Sequence, residues 1–102
     1  MALKVLWTNS AIENLEGIFD YYKTKANLNV ASDIINKIVD STILLQFQPK
    51  MGQVEELLKD RTNEYRYVIE SNYKIIYWIE ETNIKIASVF DCRQNPEKIQ
   101  KV

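Results

Sequence analysis

The chain has 102 residues, 46% of them hydrophobic, with 13 basic side chains against 14 acidic ones. That composition suits one domain, residues 1–102, burying roughly two-thirds of the surface its unfolded form exposes, and it excludes a disordered chain. There is no histidine, Cys92 is the only cysteine, and Gly17 and Gly52 are the only glycines, which excludes histidine-based acid–base or nucleophile chemistry, His-containing zinc sites, an internal disulfide and a Gly-rich phosphate loop.

The net charge of −1 leaves any attraction to nucleic acid to a local patch. No apolar run is long enough to span a bilayer and no signal peptide precedes Leu3, so a cytoplasmic protein with no membrane partner is expected. Cys92 is expected as a buried, inert thiol. No cofactor is indicated. Glu55, Glu56, Asp60 and Glu64 read as a solvated loop, because a hard-cation site needs several oxygens converging at defined spacings.

Leu3, Val5 and Trp7 alternate with Lys4 and Leu6, the period of a short first strand. Ser10 with Glu13 three residues later has capping-box spacing, so a first helix is expected over about Ala11 to Lys25, with Leu15, Ile18, Phe19 and Tyr22 on its apolar side. Asn27-Leu28-Asn29 supplies a turn and a new N-cap. The second helix carries Ala31, Ile34, Ile35, Ile38, Val39, Thr42 and Leu45 on one side until Pro49 stops it. Lys50 to Asn63 reads as a loop with one helical turn at most.

Three strands follow: Tyr65 to Ile69, Tyr73 to Ile79, and Ile84 to Arg93. Each mixes β-branched and aromatic residues, and gaps too short for a helix make them an antiparallel meander. The fold class is α+β, a β-α-α-β-β-β chain with a helical hairpin packed on one face of a small, mostly antiparallel sheet. A two-residue turn at Ser71-Asn72 would place Arg66 opposite Tyr77. A three-residue loop, Glu70-Ser71-Asn72, would place Tyr65 opposite Tyr77. The longer loop is the expectation, because Asn72 tolerates the left-handed conformation and the register gathers Tyr65, Tyr67, Ile69, Tyr73, Ile75 and Tyr77 on one apolar face. Arg66, Val68, Lys74, Ile76 and Trp78 would then share an open face. Basic residues inside strands and an exposed tryptophan suggest a working surface there.

In order and spacing these pieces resemble the ParE/RelE superfamily of toxins from bacterial type II toxin–antitoxin modules, often named plasmid stabilisation proteins. The resemblance rests on the opening strand with Trp7, the helix with Ala11, Leu15, Ile18 and Tyr22, Pro49 and Gly52 after the hairpin, and the closing strands with Tyr65-Arg66, Tyr73-Lys74-Ile75-Ile76-Tyr77 and Val89 through Arg93. The long hairpin and the Tyr-Lys-Ile-Ile-Tyr strand look more like the ParE branch.

The resemblance implies a toxin that binds a protein target such as DNA gyrase, is neutralised by a cognate antitoxin, and is not an enzyme. The alternative it implies is a RelE-like, ribosome-dependent mRNA endonuclease with Arg66, Lys74 and Arg93 at its basic catalytic sites. Val68 and Ile99 stand where that chemistry has a second lysine and a tyrosine. A non-toxic interaction module is a further alternative, and the resemblance is compatible with a homodimer. Target contacts are expected at Arg66, Lys74, Trp78, Arg93, Lys98 and Lys101, the last two on a basic C-terminal tail expected to add little to folding.

Overall fold

The computed structural model describes residues 2–102. Strand β1 (Lys4–Trp7) leads into helices α1 (Asn9–Lys25) and α2 (Leu28–Ile43), followed by the short edge strand β2 (Gln53–Val54) and the meander β3 (Arg66–Glu70), β4 (Tyr73–Glu80) and β5 (Asn83–Asp91). Short 3-10 turns cover Leu44–Gln46, Glu56–Leu58 and Pro96–Lys101. The sheet order is β1-β5-β4-β3-β2, with β1 parallel to β5 and the other pairs antiparallel. No helix among the described residues is long and apolar enough to cross a membrane.

The cap of α1 lies earlier than the capping box suggests. Thr8 Oγ1 accepts from the Ala11 N–H at 3.2 Å and donates to the Ile86 carbonyl at 2.8 Å. Parallel pairing with β5 ends at Trp7 opposite Ile86, so Thr8 is the first residue free to turn out of the sheet. Asn27 caps α2 as its sequence predicts, accepting from Val30 N–H at 2.9 Å. Helix α2 ends before Pro49 is reached. The Ser41 and Thr42 hydroxyls donate back to the Ile38 and Val39 carbonyls, a pattern that loosens a last turn, and the chain tightens into the 3-10 turn.

The hairpin between β3 and β4 takes the shorter loop. Glu70 pairs with Tyr73 and Arg66 with Tyr77, which corrects the three-residue expectation. Ser71 occupies positive φ, at 54°, and Asn72 does not, so the residue expected to close the loop is not the one that does. The register turns over the faces of β3 alone. Tyr73, Ile75 and Tyr77 face the helices as predicted, but Val68 and Arg66 join them there. Tyr65 and Tyr67 pack on the opposite side, and Ile69 is exposed.

That opposite side is not open. Leu58 and Ile99 close over Ile76, Ala87 and Phe90 as a second core cluster. A register shift between Ile76 and Tyr77 leaves Ala87 unpaired in β5 and turns it toward this cluster. Ile99, only 1% exposed, sits in the tail that was expected to contribute little to folding. Arg61 pins that tail by donating to the Val102 carbonyl at 2.8 Å and to the Gln100 carbonyl.

Tyr77 ties the helical hairpin's exit to the sheet. Its ring is fully buried, its hydroxyl donates to the Pro49 carbonyl at 2.7 Å, and it accepts from the Gly52 N–H at 3.1 Å. A Cβ on Gly52 would lie 2.6 Å from that hydroxyl and 2.7 Å from the Tyr67 carbonyl, too close for any side chain. A Cβ on Gly17 would meet nothing within 4 Å. The two glycines should therefore respond oppositely. Gly52→Ala is expected to lower the urea midpoint by the equivalent of about 1–3 kcal/mol, the cost of overpacking. Gly17→Ala is expected to raise it by about 0.5–1 kcal/mol, the helix penalty removed.

Candidate functional site

The expected contact residues fall into four groups. Arg66 lies on Tyr77's side of the sheet, apart from Lys74 and Trp78. Its guanidinium meets Glu64 at 2.8 Å and donates to the Gly52 carbonyl at 2.8 Å and the Lys50 carbonyl at 3.3 Å. It ties the turn before β2 to β3.

Lys74 is equally occupied. Its Nζ meets Glu55 Oε2 at 2.7 Å and stands 4.1 Å from the centre of the Tyr67 ring. Glu55, expected as a solvated loop carboxylate, is 4% exposed and also accepts from the Leu57 N–H. A buried carboxylate this close to an ammonium is held by charge pairing, and the pair straps the β2–β3 loop onto the sheet.

Arg93 follows β5 and grips Asp91 through two donors, Nε to Oδ1 at 3.0 Å and a terminal nitrogen to Oδ2 at 2.8 Å. Asp91 is held below the ordinary carboxylate range, first by those side-chain bonds, against the opposing effect of burial, with a further bond from the Arg93 N–H. The same contact pushes the Arg93 pKa up. Cys92 is exposed as a residue, which corrects the expectation of a buried thiol. Partial burial of its sulfur still pushes its pKa up, so it is a poor nucleophile at neutral pH.

The fourth group does converge. Trp78, Lys98 and Lys101 line a cleft of about 510 Å³ between the start of α1 and the C-terminal 3-10 turn, with Ser10, Glu13 and Gln94 around it. Trp78 packs edge-on against Tyr65 with ring centres 5.5 Å apart, and its indole N–H is buried without a partner. Lys98 and Lys101 are exposed and make no ion pair among the described residues. Sequence periodicity could not have found Ser10 and Glu13 here, because their place in the cleft depends on where the tail crosses.

The sequence model described as "ParE toxin of type II toxin-antitoxin system, parDE" matches residues 5–96. The chain belongs to the ParE toxin family. Solved structures share its fold, two of them described as follows. One, described as the chromosomal ParDE toxin–antitoxin system from P. aeruginosa, is 18% identical with a TM-score of 0.74, and the match covers 88% of this chain and 96% of that one. The other, the YoeB dimer from Staphylococcus aureus, is 19% identical with a TM-score of 0.54, covering 87% of this chain and 95% of that one. A search of curated proteins returns no match. The ParE match ends at Pro96, so Lys98, Ile99 and Lys101 lie just beyond it.

Two outcomes follow from the tail and from Asp91. Ile99→Ala is expected to cost about 2–4 kcal/mol, because a buried aliphatic side chain is removed. Truncation after Arg93 should lower the melting temperature at least as far, and an unchanged melt would show that the second cluster does not depend on the tail. Asp91 has a lower pKa folded than unfolded, so its contact stabilises fully above the unfolded value, about 4. That contribution is lost as pH falls through the folded value. Urea midpoints measured from about pH 6 to about pH 2 should fall less steeply for Asp91→Asn than for the wild type.

Proposed function

We propose that this chain is a single-unit, ParE-like toxin of a type II toxin–antitoxin module that acts in the cytoplasm by binding a protein target, DNA gyrase, and is held in check by a cognate antitoxin. The observation that carries the reading, beside the family match over residues 5–96, is how the basic residues are used. Arg66 and Lys74 are committed to structural ion pairs on opposite faces of the sheet, while Lys98 and Lys101 stand free at a cleft with an aromatic wall. Two ammonium groups beside Trp78 suit an acidic protein surface, the lysines through complementary charge and the indole as an anchor of contact energy.

This arrangement supports binding over RNA cleavage. Cleavage would need a positioned acid and base beside phosphate-binding cations. Val68 instead packs in the helix-side core and Ile99 in the second cluster, so neither position offers a proton. Losing one such group typically costs about 10²–10⁴-fold in rate.

Purified protein should inhibit gyrase supercoiling, arrest growth on induction, and leave mRNA in the ribosomal A site intact. Lys98→Glu combined with Lys101→Glu, which spares Ile99, should abolish gyrase inhibition while the melting temperature stays near that of the wild type. A-site cleavage lost in Arg66→Ala would establish the endonuclease reading instead. Folded protein inactive in all three assays would point to a non-toxic interaction module.

A further inference from the structure

Strand β2 is the last in the sheet order, with no strand outside it among the described residues. Gln53 lies opposite Tyr67 and Val54 opposite Arg66, and the Glu55 N–H continues the ladder to the Tyr65 carbonyl at 2.8 Å. In an antiparallel strand alternate residues bond the same neighbour. Gln53 and Glu55 therefore serve β3, and the Val54 N–H and carbonyl point out of the sheet. No loop group among the described residues bonds either of them. Gln53 and Val54 are both exposed, so this edge is open to a partner.

The residues on either side of Val54 suit a second copy of the same edge. A two-fold axis through Val54 runs two such edges antiparallel and lets the two valines exchange both backbone bonds. Residues before Val54 in one copy then meet residues after it in the other. Met51, three positions before, and Leu57, three positions after, are 47% and 37% exposed, so apolar meets apolar on both sides of the axis. Exposed Lys50 precedes Val54 and exposed Glu56 follows it, so each ammonium comes to the side of the other copy's carboxylate.

No like charges oppose this pairing. Glu55 is turned inward to Lys74, and Arg66, opposite Val54, is paired with Glu64 at 2.8 Å.

We propose that β2 is a self-docking edge, through which two copies of this chain join their sheets about a two-fold axis at Val54. A strand of two residues makes a small contact, so the dimer dissociates on dilution. None of the residues lining the cleft beside Trp78 belongs to this edge, so the inference stands apart from the target reading.

Sedimentation velocity on the full chain, from low- to high-micromolar concentration, should show monomer passing to dimer. Val54→Pro removes the outward N–H and none that β3 uses, a position where an edge strand tolerates proline. This variant should melt close to the wild type at low concentration and stay monomeric throughout. In a Cys92→Ser background, Val54→Cys should give a disulfide-linked dimer on mild oxidation. Residues directly opposed in a hydrogen-bonded pair have Cα atoms about 5.5 Å apart, within disulfide range. Ile69→Cys, also exposed but on β3, should not cross-link. A wild type that is monomeric at every concentration, or a dimer that survives Val54→Pro, overturns the proposal. If Val54→Pro fails to fold, the cysteine variants decide, and cross-linking no greater at position 54 than at position 69 overturns it.

Discussion

The Tyr77 hydroxyl is the point on which the architecture depends. Three segments distant in sequence meet there: the exit from the helical hairpin at Pro49, the turn before β2 at Gly52, and the middle of β4. Burial raises the phenol's pKa, so it remains a neutral donor to Pro49 while accepting from Gly52. A buried hydroxyl without these partners would carry a desolvation cost of about 1–3 kcal/mol. The contact also sets the path of the chain after α2, because only a residue without a Cβ can approach the ring so closely. From Gly52 the chain enters β2, whose pairing places Val54 opposite Arg66.

Both faces of the sheet are covered as a result, and two strand cations, Arg66 and Lys74, together with Arg61 from the β2–β3 loop, hold the covers on. Arg66 anchors the turn at Gly52, Lys74 anchors the loop at Glu55, and Arg61 anchors the tail. The first two join an irregular segment to the sheet, and the third joins the β2–β3 loop to the tail. A segment with few apolar anchors of its own gains order this way, since a charge-assisted hydrogen bond is roughly twice as strong as a neutral one. The ammonium groups of Lys98 and Lys101 take no part in this internal pairing. They flank the cleft beside Trp78 on a tail whose position depends on the buried Ile99.

The ParE family match covers the framework as far as Pro96 and stops short of Lys98, Ile99 and Lys101. The cleft beside Trp78 is built from both parts, framework on one wall and tail on the other.

The α+β class, the helical hairpin, the Asn27 cap and the helix-facing set Tyr73, Ile75 and Tyr77 could be read from the sequence, because each depends on local periodicity or on a capping side chain acting within a few residues. The same holds for the family resemblance, carried by the order of those elements. What the sequence could not decide was the side of β3 that faces the helices. Two turns differing by one residue are both compatible with Ser71-Asn72, and a one-residue slip exchanges every side chain between faces. The choice depended on packing. Arg66 reaches the Gly52 carbonyl from one face while Tyr65 meets Trp78 on the other. Buried Glu55, the edge strand β2 and the core role of Ile99 were hidden for the same reason. Each is defined by a partner far away in sequence, Lys74, β3 or Leu58, and such contacts exist only once the chain has folded.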